Sequence, residues 1–193
     1  MRMNSKNLLF IFLAVVVFVL YSPFATQAAD DATASSLTSV MHQTAGVWRG
    51  ELYYLDYQSG ERYFIPMQVE ASLSTNQDTL IRQFTFTDPN HVVYATQLLT
   101  LNEQESSLAE AYFRDNQGEC FDYEITKVQI VDEKHWRVEF QNKGLDDGRQ
   151  ALVLMHYERK GNKLFSEKKV RYLDDSDEAV FLRNGSKLTL MER

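Results

Sequence analysis

The chain has 193 residues, a formal net charge of −7, 44% hydrophobic and 24% charged residues, three prolines and one cysteine. This is ordinary globular usage, and it excludes a disordered chain, a collagen-like repeat, a polytopic membrane protein and a disulfide-stapled scaffold. The acidic balance argues against a general nucleic-acid binder.

The N-terminus has the layout of an export signal. Arg2 and Lys6 precede an unbroken apolar run from Leu8 to Leu20, followed by Pro23 and the small residues around Ala25 to Ala29. A basic start, a short apolar stretch and a small-residue cleavage zone define a signal peptide, and the run is shorter than the ~20 residues a spanning helix needs. Thr26 at −3 and Ala28 at −1 suit cleavage after Ala28. The expectation is a signal peptide over 1–28, a leader over 29–44 with one short helix around Leu37 to His42, and a single domain over 45–193. The mature protein is then periplasmic or secreted, carries a charge of −9 and keeps no membrane anchor.

From Ala45 onward the hydrophobic period is two, and aromatic and β-branched residues dominate. The predicted strands are Val47–Tyr57, Arg62–Leu73, Thr79–Thr87, His91–Leu101, Ser107–Asp115, Glu119–Ile130, Lys134–Asn142, Arg149–Arg159, Lys163–Leu173 and Ala179–Met191. Turn residues separate them: Ser59-Gly60, Asp88-Pro89-Asn90, Asn116-Gln117-Gly118, a loop from Gly144 to Gly148, and Lys160-Gly161-Asn162. Asn184-Gly185 lies inside the last segment and marks either a bulged strand or a tight hairpin. Pro66 falls mid-strand, where it fits a bulge, an edge or a corner.

Consecutive antiparallel strands with short connections and no long helix hide their edges by closing into a barrel. Tyr63, Ile65, Met67 and Val69 alternate with mostly polar neighbours, as do Phe121, Tyr123 and Ile125, and Trp136, Val138 and Phe140. One face meets a core and the other meets water. The expected fold is all-β, an antiparallel meander barrel of about eight to ten strands.

The barrel opens on Gly46-Val47-Trp48-Arg49-Gly50. Gly-x-Trp at the start of a meander barrel resembles the calycins, and Gly-x-Trp-x-Gly resembles the lipocalin-like and nitrobindin-like bacterial domains. The resemblance implies a barrel with an apolar cavity whose closed end is plugged by Trp48. Nitrobindin-like proteins also carry an axial histidine near the last strands. Residues 179–193 contain none, so no haem and no other cofactor is expected.

Catalytic and metal motifs are sparse. There is no Gly-x-Ser-x-Gly, no phosphate loop, no histidine pair at ligand spacing and no cysteine pair. The acidic run Asp174–Glu178 lacks the glycine and spacing of an EF-hand and reads as a solvated loop. Asn184-Gly185-Ser186 matches the glycosylation sequon, which a turn also explains. Cys120 reads as a small buried hydrophobe.

More informative are residues that interrupt an apolar face. Parity places Arg82 with Leu80, Phe84 and Phe86, places Glu110, Tyr112 and Arg114 with Leu108, and places Lys168 between Leu164 and Val170. A charge inside a barrel needs a partner, either an internal ion pair or the head group of a bound acid. Arg82, Tyr54, Tyr112, Arg114 and His156 are the candidate ligand-binding residues, with no catalytic or metal residue among them. The expected role is non-catalytic binding of a small apolar or amphipathic ligand. The alternatives are a filled barrel acting as a structural or interaction module, and a hydrolase or isomerase using the cavity.

Overall fold

A computed structural model describes residues 36–55, 59–174 and 179–192. The expected signal peptide, the first half of the leader and most of the acidic run lie outside the described residues. One helix, α1 (Leu37–His42), precedes ten strands: β1 (Gly46–Leu55), β2 (Arg62–Leu73), β3 (Thr79–Asp88), β4 (His91–Asn102), β5 (Ser107–Arg114), β6 (Gln117–Asp132), β7 (His135–Asp146), β8 (Arg149–Lys160), β9 (Lys163–Tyr172) and β10 (Phe181–Glu192). Each strand pairs antiparallel with the next, and β1 pairs with β10, so the sheet closes into a ten-stranded barrel. This is an all-β meander barrel, consistent with a calycin-like fold.

The turns explain the register. Asp115-Asn116 and Asp147-Gly148 have positive φ at both positions, which suits the twist of two-residue hairpins. The second pair corrects the predicted loop over 144–148, because β7 continues to Asp146 and its alternation brings that aspartate to the inner face. Asn184-Gly185 is a bulged strand rather than a hairpin, with the register shift between Leu182 and Asn184. Pro66 pairs across to Glu51 of β1 but lies just beyond the β3 ladder, which starts at Met67, so its missing N–H interrupts nothing there.

Gly50 has a steric role at the seam. A Cβ there would collide with the backbone carbonyl of Lys187, so the closing β1–β10 pair requires a residue without a side chain. This gives the second glycine of the Gly-x-Trp-x-Gly run a physical reason.

The closed end is built from α1 and the strand ends around it. Ser36 caps the helix, its hydroxyl accepting from the Ser39 N–H at 3.1 Å. Leu37, Val40 and Met41 are buried in the same core as Trp48, Leu80, Leu99, Leu108, Trp136 and Leu188. The carbonyls just after a helix have no partner within it. Here Trp48 Nε1 donates to the Thr44 carbonyl at 2.7 Å, and the Arg159 guanidinium donates to the Gln43 carbonyl at 2.7 Å and the Gly161 carbonyl at 3.0 Å. Arg159 also lies over the Trp48 ring at 5.5 Å and is only 1% exposed. Trp48 therefore seals this end together with Arg159, a residue that sequence reasoning had left unassigned.

Candidate functional site

The inner wall carries two polar groups at different depths. The deeper one joins β3, β4 and β5. Arg82 donates to Gln97 Oε1 at 3.1 Å, and Gln97 Nε2 donates to Glu110 Oε1 at 2.8 Å. All three side chains are buried. The amide thus relays between the two charges, which make no direct ion pair. The Arg82 guanidinium also sits 5.1 Å from the Phe84 ring and 5.7 Å from the Tyr157 ring. Burial pushes the Glu110 carboxyl above its ordinary range, against the Gln97 hydrogen bond and the Arg82 charge.

Space beside Arg82 is small. A cavity of about 10 Å³ is lined by Arg82, Trp136, Tyr157, Thr44, Ser166 and Ser186 among others. That is room for about one water, far below the ~300 Å³ of a small-molecule pocket. The rest of the section is filled by rings: Tyr123 and Phe140 have centroids 6.5 Å apart, and Phe140 meets Tyr157 edge-on at 5.6 Å.

The shallower group centres on Asp146, at the end of β7. Its carboxylate accepts from Lys168 Nζ at 2.8 Å and from the Tyr172 hydroxyl at 3.2 Å, and Arg183 Nε approaches it at 3.4 Å. The side chain of Asp146 is 4% exposed, whereas those of Lys168 and Arg183 are 27% and 30% exposed. Burial opposes ionisation of Asp146, but Lys168 and Arg183 outweigh it and hold the carboxyl below its ordinary range. Asp146 fell inside a predicted loop. Its signal was the Asp147-Gly148 pair, which is a hairpin turn with strands on both sides.

Around this group the inner wall is aromatic. Tyr54 packs on Tyr63 with centroids 5.2 Å apart, Phe84 stacks on Phe86 at 5.8 Å and meets Tyr112 at 6.5 Å, and Phe121 lies 6.1 Å from Tyr123. Tyr54, Phe86, Tyr112 and Phe121 share the inward parity of buried neighbours, yet each is only partly buried. The inner surface is therefore reached by solvent at this end.

The structure brings Arg82, Tyr112 and Tyr54 onto the inner wall and leaves the other two candidates elsewhere. Arg114 is at the β5–β6 hairpin, more than half exposed and ion-paired with Asp115 at 3.4 Å. His156 faces outward, because β8 alternates and Met155 and Tyr157 take the inner positions. Its cross-strand neighbours are Glu139 and Glu167, and burial followed by the Arg137 charge pushes its pKa down. Cys120 is exposed rather than buried, since it lies on the outward parity of β6 between Glu119 and Phe121. Ser186 of the sequon is buried, with its hydroxyl 2.7 Å from that of Ser166. Among the described residues no group of three or more His, Cys, Asp or Glu side chains could hold a metal ion.

A closed, ten-stranded antiparallel barrel with one plugged end defines the class of protein. No protein family matches the chain. No curated protein matches it either. Among solved structures, that of Rv2717c from M. tuberculosis is similar in fold, with a TM-score of 0.58 and 9% identity over 81% of this chain and 98% of that one.

Proposed function

We propose that the mature chain is an exported, calycin-like barrel that binds a small amphipathic molecule, non-catalytically, in its open half. The signal-like residues 1–28 support export. The apolar part of the ligand rests on Tyr54, Phe86, Tyr112 and Phe121, and its anionic group lies beside Lys168 and Arg183. The observation that carries this reading is the partial exposure of Lys168 on an inward-facing position, among aromatic side chains that are themselves inward-facing and partly exposed. Two cations, Lys168 and Arg183, face the single carboxylate of Asp146 at this end, so within this group positive charge exceeds negative, which favours an anion. Arg82 is not the head-group site in this reading, because the space beside it is that of a single water.

The test uses residues 29–193 purified from the exported compartment without detergent. Native mass spectrometry is expected to show an added mass that is lost on denaturation. Titration with a dansyl-labelled undecanoic acid is expected to saturate, and Lys168→Met to weaken it about tenfold, as expected for losing one charge-assisted contact. A clean apo mass together with no saturable binding of the probe overturns the proposal.

One observation favours the second reading, a filled scaffold that works through its outer surface. An open groove of about 480 Å³ runs over the outer wall past Tyr94, Phe113, Arg114 and Gly118. Tyr94 is 68% exposed and Phe113 46% exposed. Failure of the ligand test moves attention to this groove.

A further inference from the structure

One buried polar atom at the closed end has no partner. Trp136 is 4% exposed, and its indole Nε1–H makes no hydrogen bond. Leaving a buried donor unmade costs about 1–3 kcal/mol, and native interiors almost always supply a partner, often a water. Trp136 lines the cavity of about 10 Å³ beside Arg82. The volume and the orphan are independent observations, and both fall on Trp136.

From these we infer that the cavity is a binding site for one permanently held water molecule. The lining has the donors and acceptors a water needs. Trp136 Nε1–H can only donate, and so can the Arg82 guanidinium, whose five N–H groups exceed its bonds to Gln97 and Tyr157. Acceptors face them. The Thr44 hydroxyl spends its proton on the Met41 carbonyl at 2.6 Å, which leaves its lone pairs. Ser166 and Ser186 share one hydrogen bond at 2.7 Å, which leaves lone pairs on both oxygens. The Tyr157 hydroxyl completes the lining; it is hydrogen-bonded to Gln97 and Arg82, and burial pushes its pKa up so that it keeps its proton. A buried water makes about three hydrogen bonds to groups that are otherwise unsatisfied. Two donors and several acceptors around one water-sized space meet that requirement. An apolar gas atom or a methyl group would leave the indole orphaned, and a halide would leave the hydroxyls without a donor.

The water has a structural consequence. It would tie the Trp136 indole on β7 to about two of the other polar groups that line the space, which come from the residues after α1, β3, β8, β9 and β10. It also extends the polar line from Trp136 through Arg82 and Gln97 to Glu110. Arg82 is thereby occupied on both sides, and the deep half of the barrel is closed to a ligand head group whether or not the open half binds one.

The chain carries its own control. It has two tryptophans, and Trp48 Nε1 already donates to the Thr44 carbonyl. In water-selective NOE spectra of residues 29–193, one indole N–H is expected to show a cross-peak to a bound water with the slow-tumbling sign, and the other none. Trp136→Phe removes the positive signal and so assigns it. A high-resolution crystal structure of the same chain is expected to show one water peak within hydrogen-bond distance of Trp136 Nε1. Two dry indoles with an empty cavity overturn the inference. So does an anomalous peak in the cavity after bromide exchange, which would make the occupant a halide. Neither result bears on the ligand proposal, whose readout is an added mass and a titration.

Discussion

The two ends of this barrel use the same strands for opposite purposes. At the closed end the charged groups on the inner wall are tied to specific partners: Arg159 to the carbonyls after α1, and Arg82 through Gln97 to Glu110, while the Trp48 indole is tied to Thr44. Toward the other end the cations converge on one carboxylate and keep a quarter or more of their surface in water. The difference follows from what a charge costs in each place. A fully buried charge must be matched locally, whereas a half-exposed one is stabilised by solvent and can exchange partners. The plugged half therefore holds its charges in fixed pairings, and the open half is where the proposed ligand would find cations with room to change partners.

The largest expected contrast is in packing. Trp48 is 1% exposed and is enclosed by Arg159 and the helix. Trp48→Ala is expected to destabilise the fold by about 3–5 kcal/mol, the range for truncating a buried large aromatic. Tyr54→Ala, the inward aromatic three turns of the pleat higher on the same strand, removes a partly exposed ring and is expected to cost about 1 kcal/mol or less. Urea unfolding of both variants checks the pair. Equal losses would mean that the open half is packed as tightly as the closed one.

An intermediate effect separates the two interior carboxylates by pH. Glu110 titrates above its ordinary 4.5 in the fold, so the folded state holds the proton more tightly than the unfolded chain. Its contribution is present below 4.5 and is lost as the pH rises through the folded value. Asp146 is the reverse: it titrates below its ordinary 3.8, and its contribution is present above 3.8 and lost as the pH falls through the folded value. Glu110→Gln should therefore gain on the wild type as the pH is raised from 4 toward neutrality. Asp146→Asn should be the weaker protein near neutrality and converge with the wild type in acid. Unfolding free energies measured from well below pH 3.8 up to neutrality are expected to show the Asp146→Asn difference changing below 3.8 and the Glu110→Gln difference changing above 4.5, in opposite directions, and parallel slopes would remove the electrostatic distinction between the ends.

Much of this contrast was legible before the structure, and the gaps have physical causes. A period of two is a strong constraint, so strand parity placed Arg82, Glu110 and Lys168 on the inner face, and the short leader helix over Leu37 to His42 is where expected. Parity also showed His156 flanked by inward-facing neighbours, but its apolar surroundings outweighed that signal. Cys120 looks buried for a different reason, the general tendency of free cysteines to be so, and the outward parity of its place on β6 overrides that tendency. Asp146 was hidden because Gly144-Leu145-Asp146-Asp147-Gly148 is rich in turn residues, and composition does not say that only its last two residues turn. Arg183 was out of reach for another reason. The bulge between Leu182 and Asn184 resets parity, and a register shift depends on the neighbouring strand. Gln97 joins Arg82 to Glu110 from a strand between theirs, a relay that exists only once three registers are fixed.

The smallest expected effect is the most diagnostic for the open half. Lys168→Met removes one of three partners of Asp146 and leaves Tyr172 and Arg183 in place. Because the Lys168 side chain is 27% exposed, solvent and salt already screen its attraction, and the loss of stability should stay near or below about 1 kcal/mol. The loss should shrink further as salt is raised, since a partly exposed pair is weakened by ions whereas a buried one is not. Thermal unfolding at low and at high ionic strength measures this directly. A loss of several kcal/mol that ignores salt would mean that Lys168 is sealed in, and the open half would then resemble the plugged one and have no accessible cation to offer a ligand. A small, salt-sensitive loss leaves Lys168 as a group whose main work is outside the fold's own stability, which is the condition a head-group site requires.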